Sequence, residues 1–199
     1  MVKIIAGLKK GLKLSVPKNN VRPTSSLKRE SIFSVLESKS LKQKQSIYKK
    51  KYCLDLFAGS GALGLEAISR GAEYCYFYEL EQKVIKTLEK NCKNISDKNK
   101  YKIIKTDITK SLFEEIKYKI SVVFIDPPYE FLFYENLLNK LALKKFITKE
   151  TIFIVESNKS TKINFPKFLL VITRPAIWTL LEDLSLSFKD LNFSLISIE

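Results

Sequence analysis

The sequence predicts an α/β fold: a mostly parallel sheet with helices on both faces, behind a small N-terminal β-hairpin/helix extension. Three observations predict it. Short apolar runs alternate with helix-spaced segments from residue 52 onward, as βαβ units require. The run at residues 120–125 is almost continuously apolar, which suits a strand covered on both faces. Residues 2–16 instead place Gly7 and Gly11 between apolar pairs, the pattern of a hairpin.

After the hairpin, Pro23-Thr24 opens a helix capped by Thr24 or Ser25, with Leu27, Ile32, Phe33 and Leu36 as its core face. Residues 38–51 read as a polar linker rich in Lys, Gln and Ser. Residues 52–57 form a strand that runs into a glycine loop, and residues 61–70 a helix that stops at Gly71. A strand at 74–78, a helix at 81–94 and a strand at 101–105 follow. A weak helix is expected near 109–116, then the strand at 120–125 and the tetrad Asp126-Pro127-Pro128-Tyr129. A helix at 133–145 and a strand at 151–155 complete the alternation, and residues 184–196 suggest a terminal hairpin. The chain divides into an extension over 1–51 and a main domain over 52–199, with no internal repeat.

Composition narrows the chemistry. The chain has 199 residues, 45% of them hydrophobic, enough for a sizeable core without a disulfide staple. It has no histidine, which removes imidazole bases, Ser-His and Cys-His pairs and His-ligated metals. The three cysteines, Cys53, Cys75 and Cys92, form no CxxC pair, so buried thiols in a reducing compartment are expected rather than a metal site. The first ten residues lack a signal-peptide pattern, and no apolar run has membrane-spanning length. A cytoplasmic monomer without membrane association is expected.

The net charge of +14 is unevenly spread. Residues 1–51 carry fourteen basic and two acidic residues, leaving the other 148 nearly neutral. Only four of the 35 basic residues are arginines, so coding bias toward lysine inflates the total. Bias does not explain the asymmetry, and a polyanion partner bound by the extension is expected.

Asp55-Leu56-Phe57-Ala58-Gly59-Ser60-Gly61 joins the first sheet strand to its helix. Gly59, Gly61 and Gly64 satisfy G-x-G-x-x-G, a weak signal alone for a nucleotide loop. Asp55 discriminates. A carboxylate beside a pyrophosphate is repelled, whereas one beside an ammonium gains a charge-assisted hydrogen bond. S-adenosylmethionine carries an ammonium and a sulfonium and so fits better than NAD. Glu79, followed by Leu80, ends the next strand where an acid can accept from ribose hydroxyls. Asp107, followed by Ile108, ends the third, where a carboxylate can take an adenine amino group. Singly, each acid is more often a cap or a solvated loop residue. Three at successive strand ends fit a ligand at the carboxyl edge of the sheet. The cofactor set is therefore Asp55, Phe57, Ala58, Gly59, Ser60, Gly61, Glu79, Leu80, Asp107 and Ile108.

Asp126-Pro127-Pro128-Tyr129 is the most specific signal. The prolines fix φ and remove two backbone donors, so the loop presents carbonyls beside a carboxylate and an aromatic ring. A planar amine on a nucleobase needs that set: one N–H to Asp126, the other to a proline carbonyl, and Tyr129 stacked on the ring at about 1–3 kcal/mol. Holding both hydrogens aims the nitrogen lone pair, and catalysis is then mainly positioning.

Together these residues resemble the Rossmann-like amino-methyltransferases, and more closely the RsmD-type 16S rRNA guanine-N2 methyltransferases. The likeness includes Ile4-Ile5-Ala6-Gly7, Arg22-Pro23-Thr24 with Arg29-Glu30, the stretch 54–67, Arg70-Gly71-Ala72, Phe124 to Tyr129, and Val155-Glu156. The N-terminal block narrows the family. The resemblance implies a seven-stranded sheet, S-adenosylmethionine as donor with S-adenosylhomocysteine as product, and no metal. It implies a guanine of small-subunit rRNA within an assembling ribosomal particle as substrate. Arg22 and Thr24 would lie near the site, with Lys9, Lys10, Lys13 and Lys28 as further RNA contacts. The C-terminal stretch departs from the family pattern: Phe188-Lys189-Asp190 stands where a Tyr-Gly signal is usual. An adenine-N6 methyltransferase on DNA or RNA would use the same tetrad. An NAD oxidoreductase leaves the tetrad unexplained, and a non-catalytic RNA-binding factor leaves the whole site so.

Overall fold

The computed structural model describes residues 2–17, 26–128, 131–157, 163–164, 166 and 170–173. Arg22, Thr24, Ser25, Tyr129 and the expected terminal hairpin lie outside the described residues.

Strands β1 (Val2–Lys3) and β2 (Lys13–Leu14) pair antiparallel, giving the expected hairpin. Helix α1 (Ser26–Lys42) follows. Among the described residues the sheet proper contains β3 (Tyr52–Asp55), β4 (Tyr74–Glu79), β5 (Tyr101–Lys105), β6 (Ile120–Ile125), β7 (Ile152–Val155) and β8 (Leu170–Thr173). These six lie in the order β5-β4-β3-β6-β7-β8, every pair parallel. The connecting helices are α2 (Ala62–Ser69), α3 (Gln82–Ile95) and α4 (Tyr134–Ala142). The chain builds outward from β3 in one direction and then, from β6, in the other. The loops after β3 and β6 therefore diverge, opening a crevice at the carboxyl edge.

Alternation along the strands separates two cores. Cys53, Cys75, Phe77, Val122, Phe124 and Ile154 point to the face that receives α1, α2 and α3. Leu54, Tyr76, Tyr78, Val123, Ile125 and Phe153 point to the face that receives α4. Helix α2 lies so close to β4 that a Cβ at Gly64 would sit 2.3 Å from Phe77 and 2.6 Å from Cys75 Sγ, so only glycine fits. The three thiols are free and buried, and burial pushes Cys53 and Cys92 up to about 12.

The described residues of the N-terminal extension share the first core. Val2, Ile4, Leu14, Ile32, Phe33 and Leu36 pack with strand residues of that face. An ion network holds them: Glu66 of α2 accepts the Ile5 and Ala6 N–H groups at 2.8 and 2.9 Å and Arg70 Nε at 2.8 Å. Arg29, fully buried on α1, sits 3.9 Å from Glu66 and donates to the Lys3 carbonyl at 2.9 Å. Arg70 also pairs with Glu37 of α1. At the hairpin tip, Gly7 adopts φ +82° where an added Cβ would meet the Ser69 carbonyl oxygen at 1.9 Å.

Three expectations are corrected. Residues 38–51 are not a linker: α1 continues to Lys42, and Ile47 and Tyr48 are buried beyond it. Leu27 is exposed, and its expected place in the core is taken by Arg29. No helix forms at 109–116, where Phe113 adopts φ +58° and ends any helical run. Among the described residues no helix is long and apolar enough to cross a membrane.

Candidate active site

The glycine loop leaves β3 at Asp55 and is tied to both neighbouring strands. Leu56 N–H donates to the Phe124 carbonyl of β6 at 3.1 Å, and Ala58 N–H to the Tyr78 carbonyl of β4 at 3.0 Å. Gly59 and Gly61 supply the positive φ values, +53° and +81°, that turn the chain into α2. The expected acids then take distinct parts. Asp55 is buried, and one carboxylate oxygen accepts the Gly64 N–H at 3.0 Å. Burial pushes its carboxyl up to about 7, against the pull of that N–H, with the charges of Asp126 and Glu79 adding to the rise.

Glu79 closes the loop from β4. One oxygen accepts the Gly59 N–H at 2.9 Å; the other accepts the N–H groups of Leu80 and Glu81 at 2.8 and 3.0 Å. A carboxylate offers about four acceptor positions, so capacity remains for a hydroxyl. Asp107, after β5, accepts the Thr109 hydroxyl at 2.7 Å and the Thr109 N–H at 3.0 Å, and this hydrogen bonding lowers its pKa. Ile108 beside it is buried, while Leu80 is exposed.

Asp126 follows β6 and is half-buried; Pro127 is buried and Pro128 exposed. The Pro128 carbonyl accepts the Phe131 N–H at 3.0 Å. Phe131 then stands edge-on to Phe57 of the glycine loop at 5.0 Å and to Tyr134 of α4 at 5.1 Å. Neighbouring strands thus bring Phe57 and the Asp-Pro-Pro turn to one place.

The pairing of Ile125 with Val155 sets Glu156 beside Asp126, and Glu156 N–H donates to the Ile125 carbonyl at 2.8 Å. Lys28 of α1 forms an ion pair with Glu156. Burial raises the Glu156 carboxyl above its ordinary value, and the neighbouring Asp126 adds to the rise. Tyr134 OH donates to the Glu156 carbonyl at 3.0 Å.

The structure therefore gathers the glycine loop with Asp55, then Glu79 and Leu80, Asp107 and Ile108, and Asp126 to Pro128 at the ends of β3, β4, β5 and β6. Lys28, expected to face RNA, instead turns inward to Glu156. Lys9, Lys10 and Lys13 are exposed on the hairpin, whose tip docks at the C-terminal end of α2: Leu8 N–H donates to the Ser69 carbonyl at 2.8 Å. Its exit reaches the glycine loop. Buried Asn91 of α3 accepts the Ser15 N–H at 2.8 Å and donates to the carbonyls of Ser15 and Ser60. Sequence reasoning did not assign Glu156, Phe131 or Asn91 to the site. The density of aromatic residues after the proline pair was a usable signal for Phe131. Glu156 ends an apolar run and belongs to the family-like Val155-Glu156 pair, but its place beside Asp126 depends on β6 and β7 being neighbours; Asn91 carried no signal in its own surroundings.

Fold and site together define a Rossmann-like methyltransferase. The family model described as Conserved hypothetical protein 95 matches residues 2–175, and the chain belongs to that family, the RsmD family. Ribosomal RNA small subunit methyltransferase D of Buchnera aphidicola (Acyrthosiphon pisum) is 40% identical over 166 residues, covering 82% of each chain. The protein of the same name in Escherichia coli K12 is 31% identical over 90% of this chain and 82% of its own length. The solved structure of yhhF from Escherichia coli matches with a TM-score of 0.70 at 31% identity, covering 83% of this chain and 86% of that one.

Proposed function

We propose that this chain transfers a methyl group from S-adenosylmethionine to the exocyclic N2 of a guanine in small-subunit rRNA, within an assembling ribosomal particle in the cytoplasm. One observation carries the reading: the loops after β3 and β6, neighbours across the point where strand order reverses, place a nucleotide-type glycine loop directly beside Asp126-Pro127-Pro128. The names of the two rRNA methyltransferase relatives support the substrate class.

The donor set fits the cofactor. Carboxylates end three successive strands, and Asp55 and Glu79 both contact loop or helix backbone while keeping acceptor capacity. Bound S-adenosylmethionine supplies the methyl group as an electrophilic sulfonium. The protein's part is to hold the amine. Asp126 accepts one of its N–H bonds and a proline carbonyl the other, which leaves the nitrogen lone pair pointing away from the loop. As nitrogen becomes tetrahedral its proton turns acidic, and Asp126 is placed to take it. Phe57 and Phe131 form an apolar wall beside the base, and Tyr129 is its stacking partner. No imidazole is needed, in keeping with a chain without histidine.

In this reading residues 1–51 are the RNA-facing extension, with Arg22, Thr24, Lys9, Lys10 and Lys13 among its contacts, and residues 52–199 the catalytic domain. Asp126→Ala tests the assignment. Methyl transfer to small-subunit particles should fall by at least two orders of magnitude while S-adenosylmethionine affinity, measured by calorimetry, stays within about twofold. Loss of cofactor binding in the variant would show that Asp126 belongs to the cofactor site instead.

A further inference from the structure

Helix α1 belongs to the N-terminal extension, yet one of its side chains enters the reaction centre. Lys28 reaches Glu156, which follows β7, and Glu156 lies beside Asp126, which follows β6. Backbone geometry fixes the contact between the acids: the β6–β7 register and the Glu156 N–H to Ile125 carbonyl bond leave the two side chains adjacent. From the other side, Tyr134 holds the Glu156 carbonyl at 3.0 Å. Two carboxylates set side by side repel each other, and a proton held between them replaces that repulsion with a hydrogen bond.

We propose that Glu156 is a positioning residue: with Asp126 it forms a carboxyl pair that retains one proton, and Lys28 of α1 aims that pair at the substrate amine. The inference rests on the methyltransferase reading for its consequence and on side-chain geometry for its existence. Glu156 occupies one Asp126 oxygen and leaves the other to accept from the amine. Lys28 holds the far side of Glu156, so the extension that is proposed to grip RNA also sets the orientation of the acid that grips the base. Among the described residues the charged and titratable groups around the pair are Lys28 from α1, Tyr134 from α4 and Asp55 after β3. The Asp55 carboxylate favours retention of the proton, the Tyr134 phenol is neutral, and Lys28 opposes it.

The test has two readouts on the full-length chain. The first requires no activity: the Glu156 side-chain carboxyl is followed by 13C NMR as pH is varied. Its midpoint should lie above the ordinary glutamate range, fall in Asp126→Asn and rise in Lys28→Met. A midpoint in the ordinary range that neither variant moves overturns the proposal, whether or not the protein transfers methyl groups. The second is kinetic. Glu156→Ala should lower kcat at least tenfold with little change in KM for the cofactor. Glu156→Gln, whose amide can donate to Asp126 and accept from Lys28, should recover most of that loss and flatten the high-pH limb of kcat. A glutamine variant as impaired as the alanine variant, or an alanine variant with wild-type kcat, also overturns it. A wild-type protein that transfers no methyl group would refute the proposed function, and the NMR titration would still decide the carboxyl pair.

Discussion

At the scale of single residues, the site is built from acids whose surroundings differ sharply. Asp55 is buried under the glycine loop with its carboxyl pushed up to about 7, against 3.8 for a free aspartate. The folded chain therefore binds more protons than the unfolded chain between those values. The stabilising contribution of this group is complete below about pH 4 and is lost as pH rises through about 7. Urea denaturation of the ligand-free protein should show a decline in stability across that window, and Asp55→Asn should flatten it. Asp107 behaves oppositely, its pKa lowered by the Thr109 hydroxyl and N–H. The four site acids stood out in the sequence because each ends an apolar run. Glu156 also ends one, but its meaning depends on β6 and β7 lying side by side, a fact absent from the local pattern. Arg29 was hidden for a similar reason: its partner Glu66 lies on another helix, and on its own helix it reads as one more polar position.

At the scale of elements, strands were legible because continuous apolar runs have few alternatives in a chain of this composition. The failures lie where long-range contact decides. Residues 109–116 have helical spacing, yet Asp107 and Thr109 close a local turn and Phe113 takes a left-handed backbone, placing its ring against Tyr78 at 5.5 Å. Residues 43–51 look like linker because Ile47 and Tyr48 are isolated among polar residues, but both reach the core beneath α1. The hairpin and α1 are attached to α2 chiefly through Glu66. Glu66→Ala strands buried Arg29 without its counter-ion and frees the Ile5 and Ala6 amides. The expected loss is about 3–5 kcal/mol of stability in chemical denaturation. Hydrogen exchange should rise first at Ile5, Ala6 and Leu8, ahead of the β3–β6 core; uniform acceleration across the sheet would argue against Glu66 as the anchor of the hairpin.

At the scale of the whole molecule, charge and chemistry occupy different parts of one body. The first 51 residues carry most of the +14, and Val2, Ile4, Leu14, Ile32, Phe33 and Leu36 among them pack on the sheet face that receives α2, which begins at the glycine loop. Asn91 connects Ser15 to Ser60, so the exit of the hairpin lies against the glycine loop, and Lys28 connects α1 to Glu156 after β7. Replacing Lys9, Lys10 and Lys13 together with Gln should weaken binding to small-subunit RNA and reduce its salt slope by roughly 0.7–0.9 for each phosphate no longer neutralised. Cofactor affinity should be unaffected. The most direct measurement is to incubate the protein with labelled S-adenosylmethionine and small-subunit particles from cells that lack it, and then map the modified base. The account predicts one N2-methylguanine in the small-subunit rRNA. N6-methyladenine in its place, or no transfer to any RNA, would contradict it.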